Sequence, residues 1–136
     1  MVKTSEVILR DAKQPWKNLT LAGRINSEFL FRTALSKNIV PFVLVNPTLV
    51  LLPILIKENQ GKVIELLNQK KLLELGELDL AKWFRLAEEM WEENKTERAK
   101  ESEMRLYNRL DFQRGLTAQN LNLRYLVLYT ASAQDA

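Results

Sequence analysis

An apolar stripe at helical spacing is the feature of this 136-residue sequence that most constrains its fold. The stripe repeats at offsets of four, three and four residues, as one face of an α-helix requires, and consists of Leu80, Phe84, Ala87 and Trp91. Asp79 can cap the start, so the spacing predicts an amphipathic helix from 79 to about 94. Such a helix must cover its stripe with another layer of structure.

Two β-branched runs, at 39–45 and 48–56, form the other large apolar surface. The turn-forming pair Asn46-Pro47 separates them, and the pattern predicts a hairpin buried on both faces. Prolines interrupt both runs, whereas a membrane-spanning helix needs about 20 nearly unbroken apolar residues. We expect the helix at 79–94 to pack on this hairpin, because these are the two largest apolar surfaces.

Weaker patterns occupy the rest of the chain. Short strands are predicted at 6–10, 18–21 and 125–129, and shorter helices at 27–36 and 68–75. Residues 63–67 suit either a strand or a helix. The charged run that ends at Glu103 suits either a solvated helix extension or a mobile loop.

These elements predict an α+β fold, with a small mixed or antiparallel sheet of about four to five strands. The sheet packs against one long amphipathic helix and several shorter helices. No Gly-, Pro- or Ser-rich linker divides the chain, so residues 1–136 are expected to form a single domain. We expect that domain to be a fragment or an accessory module of a larger protein.

The chain contains neither Cys nor His, which narrows the possible chemistry. Disulfides, thiol nucleophiles and Ser-His-Asp triads are excluded, and a zinc site would need carboxylates alone. The four glycines are isolated, so no glycine-rich phosphate loop is present. We therefore expect no catalytic centre, no cofactor and no metal in this chain.

A run of glutamates follows the apolar stripe of the long helix and has two interpretations. Carboxylates four residues apart share a helix face, where they could act as acid and base or bind magnesium. The interpretation that we favour is a solvated face that keeps the helix soluble. The residues concerned are Glu88, Glu89, Glu92, Glu93 and Glu97.

The C-terminal quarter is locally cationic, although the net charge of the whole chain is only +3. Between 105 and 124, four arginines accompany a single acidic residue, Asp111, with amide side chains among them. Arginine contacts phosphate and guanine, and Asn or Gln can read adenine. The candidate nucleic-acid-binding residues are Arg105, Arg109, Gln113, Arg114, Gln119, Asn120 and Arg124. The alternative is a polar loop whose side chains cap turns, a role that we expect for Asp111 in either case.

The tryptophans are a further candidate for nucleic-acid contact. Trp83 and Trp91 lie in the apolar stripe and are expected to belong to the core rather than to a platform for stacked bases. Trp16, beside Pro15, is left open between these two roles.

The phrase Leu106-Tyr107-Asn108-Arg109-Leu110-Asp111-Phe112-Gln113-Arg114, followed by Arg124-Tyr125-Leu126-Val127, is the most distinctive motif. Together with Phe29-Leu30-Phe31-Arg32-Thr33, Leu52-Pro53 and Lys95-Thr96-Glu97, it resembles a region of large adenine-specific DNA methyltransferases of bacterial restriction-modification and related defence systems. The order and spacing agree over roughly residues 28 to 133.

The resemblance implies a piece outside the methyl-transfer core, which engages DNA or packs against a methyltransferase catalytic domain in cis or in trans. The sequence lacks that family's Asp/Asn-Pro-Pro-aromatic motif and its glycine-rich cofactor loop, so methyl transfer by this chain alone is not implied. We expect a noncatalytic DNA-recognition or accessory module in the cytoplasm, with no membrane contact. The alternative is a protein-protein interaction module that does not touch nucleic acid.

Overall fold

The computed structural model describes residues 1–128, with the backbone alone at residues 7, 11 and 36. In this part of the chain the helices are α1 (Glu6–Asp11), α2 (Gln69–Glu74), α3 (Leu78–Asn94), α4 (Glu97–Glu101) and α5 (Leu106–Leu110). The strands are β1 (Val2–Lys3), β2 (Ala22–Gly23), β3 (Leu30–Thr33), β4 (Ile39–Val40), β5 (Val43–Leu44), β6 (Thr48–Leu51), β7 (Ile54–Glu58) and β8 (Lys62–Leu66). The predicted α+β class is confirmed.

The strands pair two by two, and every pair is antiparallel. The four ribbons are β1–β2, β3–β6, β4–β5 and β7–β8. The predicted four to five strands therefore do not share one sheet among residues 1–128. The apolar stripe of α3 is covered mainly by the shorter helices and by irregular segments between these ribbons.

The β7–β8 hairpin is the most regular ribbon. Its register runs from Ile54 opposite Leu66 to Glu58 opposite Lys62. The turn uses Gly61, which has a φ of +115° that residues with a Cβ rarely adopt. This hairpin resolves the ambiguity at 63–67 in favour of a strand.

The predicted hairpin of residues 39–56 is wrong in its pairing. Thr48–Leu51 pairs with Leu30–Thr33. The run 39–45 instead folds back on itself, because Pro41-Phe42 makes a tight turn with Phe42 at a φ of +65°. Residues 40–46 are also exposed rather than buried on both faces.

Asn38 explains why the chain leaves the predicted hairpin register. Its buried side chain accepts from the backbone N–H of Leu35 at 2.8 Å and donates to the carbonyls of Val45 at 3.1 Å and Asn46 at 2.8 Å. These bonds fix the base of the β4–β5 ribbon. Asn46 therefore belongs to the closing loop of that ribbon and does not turn the chain toward a partner strand.

Three local predictions near the N-terminus are also wrong. Residues 6–10 are helical, because Ser5 accepts from the N–H of Ile8 at 3.4 Å as an N-cap. Residues 18–21 contain no strand; a 3₁₀ turn at Trp16–Asn18 precedes β2. The helix predicted at 27–36 is only a 3₁₀ turn at Ser27–Phe29, after which the chain extends into β3.

The last predicted strand is also not formed where the structure describes it. Tyr125–Leu128 is irregular and exposed, and Tyr129 lies outside the described residues. The charged run after α3 is neither a continuous helix extension nor a loop. It turns at Lys95 and starts the short helix α4, which Thr96 caps by accepting from the N–H of Ala99 at 3.3 Å.

The core lies between α2 and α3, whose positions agree with the predictions for 68–75 and 79–94. Its buried cluster consists of Phe29, Leu67, Leu72, Leu80, Ala81 and Phe84. Of residues 39–56, only Leu51 packs against this cluster, so the predicted packing of the long helix on a 39–56 hairpin is wrong. The shorter helices α2 and α5 cover the stripe instead. No helix in residues 1–128 has the length and apolar content needed to cross a bilayer.

Candidate nucleic-acid interface

Helix α5 presents the first two candidate arginines. The backbone N–H of Arg105 donates to Asn108 Oδ1 at 2.9 Å, which closes the start of the helix. Tyr107 faces inward, with its ring centroid 6.4 Å from that of Phe84. Arg105, the N-cap residue that precedes α5, and Arg109 in its last turn are both exposed.

Asp111 organises the turn that follows α5. Its Oδ1 accepts from the backbone N–H of Leu116 at 3.1 Å and of Thr117 at 2.9 Å, and its Oδ2 accepts from the Thr117 hydroxyl at 2.7 Å. Burial opposes ionisation, but these bonds and the charge of Arg114 outweigh it and hold the pKa of Asp111 below its ordinary value. The predicted structural role of Asp111 is confirmed.

The next two candidates stand in the left-handed backbone region. Gln113 has a φ of 53° and Arg114 a φ of 58°, conformations that side chains with a Cβ adopt uncommonly. Both side chains are exposed. The bonds to Asp111 close the loop that contains them, so the turn displays these two residues toward solvent.

Gln119 and Asn120 hold the loop as well as facing solvent. Gln119 Nε2 donates to the carbonyl of Gly115 at 3.1 Å. Asn120 Oδ1 accepts from the backbone N–H of Asn122 at 3.0 Å. Their use as readers of base edges stays a prediction, but part of each amide already has a partner within the loop.

Asn122 attaches the whole segment to the β7–β8 hairpin. Its Oδ1 accepts from the backbone N–H of Lys62 at 2.7 Å, and its Nδ2 donates to the carbonyl of the same residue at 3.2 Å. Sequence reasoning treated Asn122 as one more amide of the loop. No local signal could have identified this contact, because the two residues are 60 positions apart.

The arginines of the segment are largely free of acidic partners. Arg105 lies 3.5 Å from Glu88. Arg109 lies 5.7 Å from the ring centroid of Phe112, and Arg124 lies 5.5 Å from that of Tyr125. Among the described side chains, no carboxylate comes within ion-pair distance of Arg109, Arg114 or Arg124.

A cavity of about 630 Å³ lies beside this segment. Its wall includes Trp16 and Trp91, whose rings stack with centroids 5.5 Å apart and planes at 19°. Trp91 Nε1 donates to the carbonyl of Met104 at 2.8 Å, which fixes the orientation of the indole. Trp83 packs against the core as predicted, whereas Trp91 is half-buried in this aromatic pair.

Arg98, Arg109 and Phe112 line the same cavity. Sequence reasoning did not single out Arg98 or Phe112. One signal was available for Phe112, because an aromatic residue between two arginines is a pattern found in nucleic-acid-binding segments. Arg98 lies within the acidic run, so no local pattern in the sequence indicated that it would line the cavity.

Three of the five glutamates in the run form ion pairs. Besides the contact of Glu88 with Arg105, Glu92 pairs with Lys95 at 2.7 Å and Glu97 with Lys100 at 2.8 Å. Within residues 1–128, no three acidic side chains cluster in a way that could hold a metal ion. These contacts agree with the interpretation of a solvated, charged helix face.

No protein-family model, curated protein or solved structure matches this chain. Its function is therefore inferred from the geometry of the interface described above.

Proposed function

We propose that this chain is a noncatalytic DNA-recognition or accessory module, associated with an adenine-specific DNA methyltransferase of a restriction-modification system. Residues 105–124 form its DNA-contacting surface. The observation that carries the proposal is the asymmetric use of charge in this segment. Asp111 uses both carboxylate oxygens to hold a turn, whereas the side chains of Arg109 and Arg114 are exposed.

The arrangement divides the work between two kinds of side chain. Arg105, Arg109 and Arg114 would contact phosphates and supply affinity that does not depend on sequence. Gln113, exposed on a fixed turn, is the amide best placed to reach a base edge. Gln119 and Asn120 would contribute with the atoms that the loop leaves free.

The rigid attachment of the segment also supports this role. Asn122 joins the loop to the β7–β8 hairpin, and at the other end the ring of Tyr107 on α5 packs against that of Phe84 on α3. A surface held at both ends keeps its arginines in a fixed pattern before DNA arrives. Less conformational entropy is then lost on binding than for a flexible basic tail.

The test is duplex DNA binding as a function of salt concentration. Replacing Arg109 and Arg114 by Gln keeps most of each side-chain stem and removes two charges. We expect weaker binding on all sequences and a salt slope lower by about 2, since each phosphate contact contributes about 0.9. The matched control replaces Arg24 and Arg32, two exposed arginines outside the segment, by Gln.

Equal losses in the two double variants would place the binding surface elsewhere and leave only a general charge effect. Unchanged affinity and salt slope in the Arg109/Arg114 variant would contradict the proposed surface directly.

A protein-interaction role is the alternative, and the β4–β5 ribbon favours it. Phe42 is fully exposed at the tip, at a φ of +65°, and Val40 and Val43 beside it are also exposed. Exposed apolar side chains that cluster in this way are typical of docking surfaces. A methyltransferase catalytic domain is the partner that the resemblance suggests.

Salt dependence separates the two roles. Docking through the ribbon should persist at high salt and should be lost in Phe42→Ser. DNA binding should instead weaken steeply as the salt concentration rises, and Phe42→Ser should leave it unchanged. Both surfaces can coexist on an accessory module, because the ribbon and the 105–124 segment share no residues.

A further inference from the structure

The cavity beside α5 has the composition of a site for a flat, anionic ligand. Two indoles and the ring of Phe112 contribute aromatic surface, and Arg98 and Arg109 contribute positive charge. Among the described residues that line the cavity, none is acidic. A cationic ligand is therefore disfavoured, although aromatic walls alone would accept one.

We infer that this cavity binds an unpaired nucleobase together with its phosphate, as presented by single-stranded DNA. The inference rests on the proposed function, since Arg109 serves both surfaces, and it narrows the ligand to an unpaired nucleotide. Bases stack on aromatic side chains while basic residues hold the backbone in proteins that bind single strands. The volume of about 630 Å³ exceeds what one nucleotide occupies.

The concave shape is the reason to choose an unpaired base over a duplex. In a duplex both faces of each base are covered by its neighbours, so no face is free to meet a ring inside a cavity. An unpaired base offers its faces and can enter. Phe112 is the natural contact, because about half of its side chain is exposed.

The two arginines of the cavity wall can contact the phosphates of a bound strand. Arg109 lies on α5 and reaches over the ring of Phe112, so a stacked base would place its phosphate near this guanidinium. Arg98, on α4, also lines the cavity. The Thr96 hydroxyl, whose oxygen accepts from the N–H of Ala99, can still donate to the base or the phosphate. The Ser102 hydroxyl donates to the carbonyl of Ala99, so it can only accept from the base.

The aromatic pair provides a direct readout of binding. In a Trp83→Phe background, the two remaining tryptophans, Trp16 and Trp91, both line the cavity. We expect a dT oligonucleotide of about ten residues to quench their fluorescence, whereas a blunt duplex of equal length should not. Thymidine monophosphate tests whether a free nucleotide suffices or a strand is required.

Phe112→Ala is the decisive variant, with Phe42→Ala as the matched control at an exposed phenylalanine that does not line the cavity. Loss of one stacked base should weaken oligonucleotide binding about five- to 150-fold, and Phe112→Tyr should restore it. Arg98→Gln should lower the salt slope for the oligonucleotide by about 0.7. Thermal melting of each variant checks that the fold is intact.

The outcomes distinguish this inference from the proposed function. Duplex binding with a normal salt slope, but equal oligonucleotide affinity in the Phe112→Ala and Phe42→Ala variants, would overturn the cavity site and leave the proposed function standing. Quenching by the oligonucleotide without binding of the duplex would support the cavity site and overturn the proposed duplex-binding surface. Quenching by thymidine monophosphate with no binding of any DNA would overturn single-stranded DNA as the ligand of the cavity and the proposed function with it. Absence of binding by all three probes would overturn both.

Discussion

The side-chain amide of Asn122 forms two hydrogen bonds with the backbone of Lys62, one as acceptor at 2.7 Å and one as donor at 3.2 Å. The amide thus extends the edge of the β7–β8 ribbon by one pair of bonds. It ties the C-terminal segment to a hairpin that is far away in sequence. The position of the cationic surface therefore depends on this contact.

Asn122→Ala should lower the free energy of unfolding by about 1 kcal/mol, because two exposed hydrogen bonds to Lys62 and one to Asn120 are lost. Asn122→Asp keeps the acceptor oxygen and loses the donor, so its cost should be intermediate. Urea denaturation measures both. Gln119→Ala is the control, since its side chain donates to the carbonyl of Gly115 within the loop, and an equal loss there would show that the long-range contact contributes little.

Gly61→Ala should destabilise the protein for two separable reasons. The residue has a φ of +115°, which a Cβ strains, and the added Cβ would lie 3.1 Å from Asn122 Oδ1. We expect a cost of about 1–3 kcal/mol. In an Asn122→Ala background the close contact disappears, so the cost of Gly61→Ala should fall, and a double-mutant cycle measures that difference. An identical cost in both backgrounds would assign the whole effect to backbone strain.

Asp111 should make stability depend on pH in the acid range. Its pKa is lower in the folded protein than in the unfolded chain, so its contribution is fully present above the unfolded value of about 3.9. That contribution is lost as the pH falls through the folded pKa. Asp111→Ala should cost about 1–2 kcal/mol at pH 7, and the difference from wild type should shrink below about pH 4.

Asp111→Asn separates the charge from the hydrogen bonds. The amide oxygen can still accept from the N–H groups of Leu116 and Thr117, so this variant should lose less stability than Asp111→Ala at pH 7. Urea denaturation at several pH values measures the effect. A difference between wild type and Asp111→Ala that does not change with pH would show that the carboxylate charge is irrelevant to the turn.

Leu80 is fully buried in the cluster between α2 and α3, so its truncation should be costly. Leu80→Ala should lower the free energy of unfolding by about 2–5 kcal/mol, through lost burial and a residual cavity. Leu73→Ala is the matched control on α2, where the side chain is 55% exposed and the expected cost is below about 0.5 kcal/mol. Comparable midpoints for the two variants in urea would contradict this account of the core.

The periodic parts of the sequence predict the fold well, and the aperiodic parts do not. The stripe from Leu80 to Trp91 is a local signal that tertiary contacts reinforce. The predicted cap at Asp79 is wrong, because the helix begins at Leu78, after Glu77. Strand pairing depends on partners far along the chain, and the same β-branched run 39–56 is compatible with several registers. The buried side chain of Asn38 decides between them, and no local pattern reveals that residue's four partners.

The candidate site could likewise be predicted only in part from the sequence. The arginine content of 105–124 and the structural use of Asp111 follow from local composition and turn chemistry. The cavity does not, because Trp16, Trp91 and Phe112 come from three separate segments. Only the folded chain shows that these rings and two arginines meet.

Tyr107 should be the tyrosine whose ionisation reports on the integrity of the fold at high pH. Burial, with a smaller contribution from the nearby charge of Glu88, raises the pKa of Tyr107 from 10.0 to about 12. The phenol is protonated in both states below pH 10, so the stability that it contributes is fully present there. That stability is lost as the pH rises from 10 toward the folded value, since the unfolded chain releases the proton more readily. Absorbance at alkaline pH, compared between wild type and Tyr107→Phe, isolates this titration, and urea midpoints over the same range should fall more steeply for wild type. A difference spectrum complete by pH 10.5, with parallel urea midpoints, would show that Tyr107 is open to solvent and that α5 does not pack against Phe84 as described.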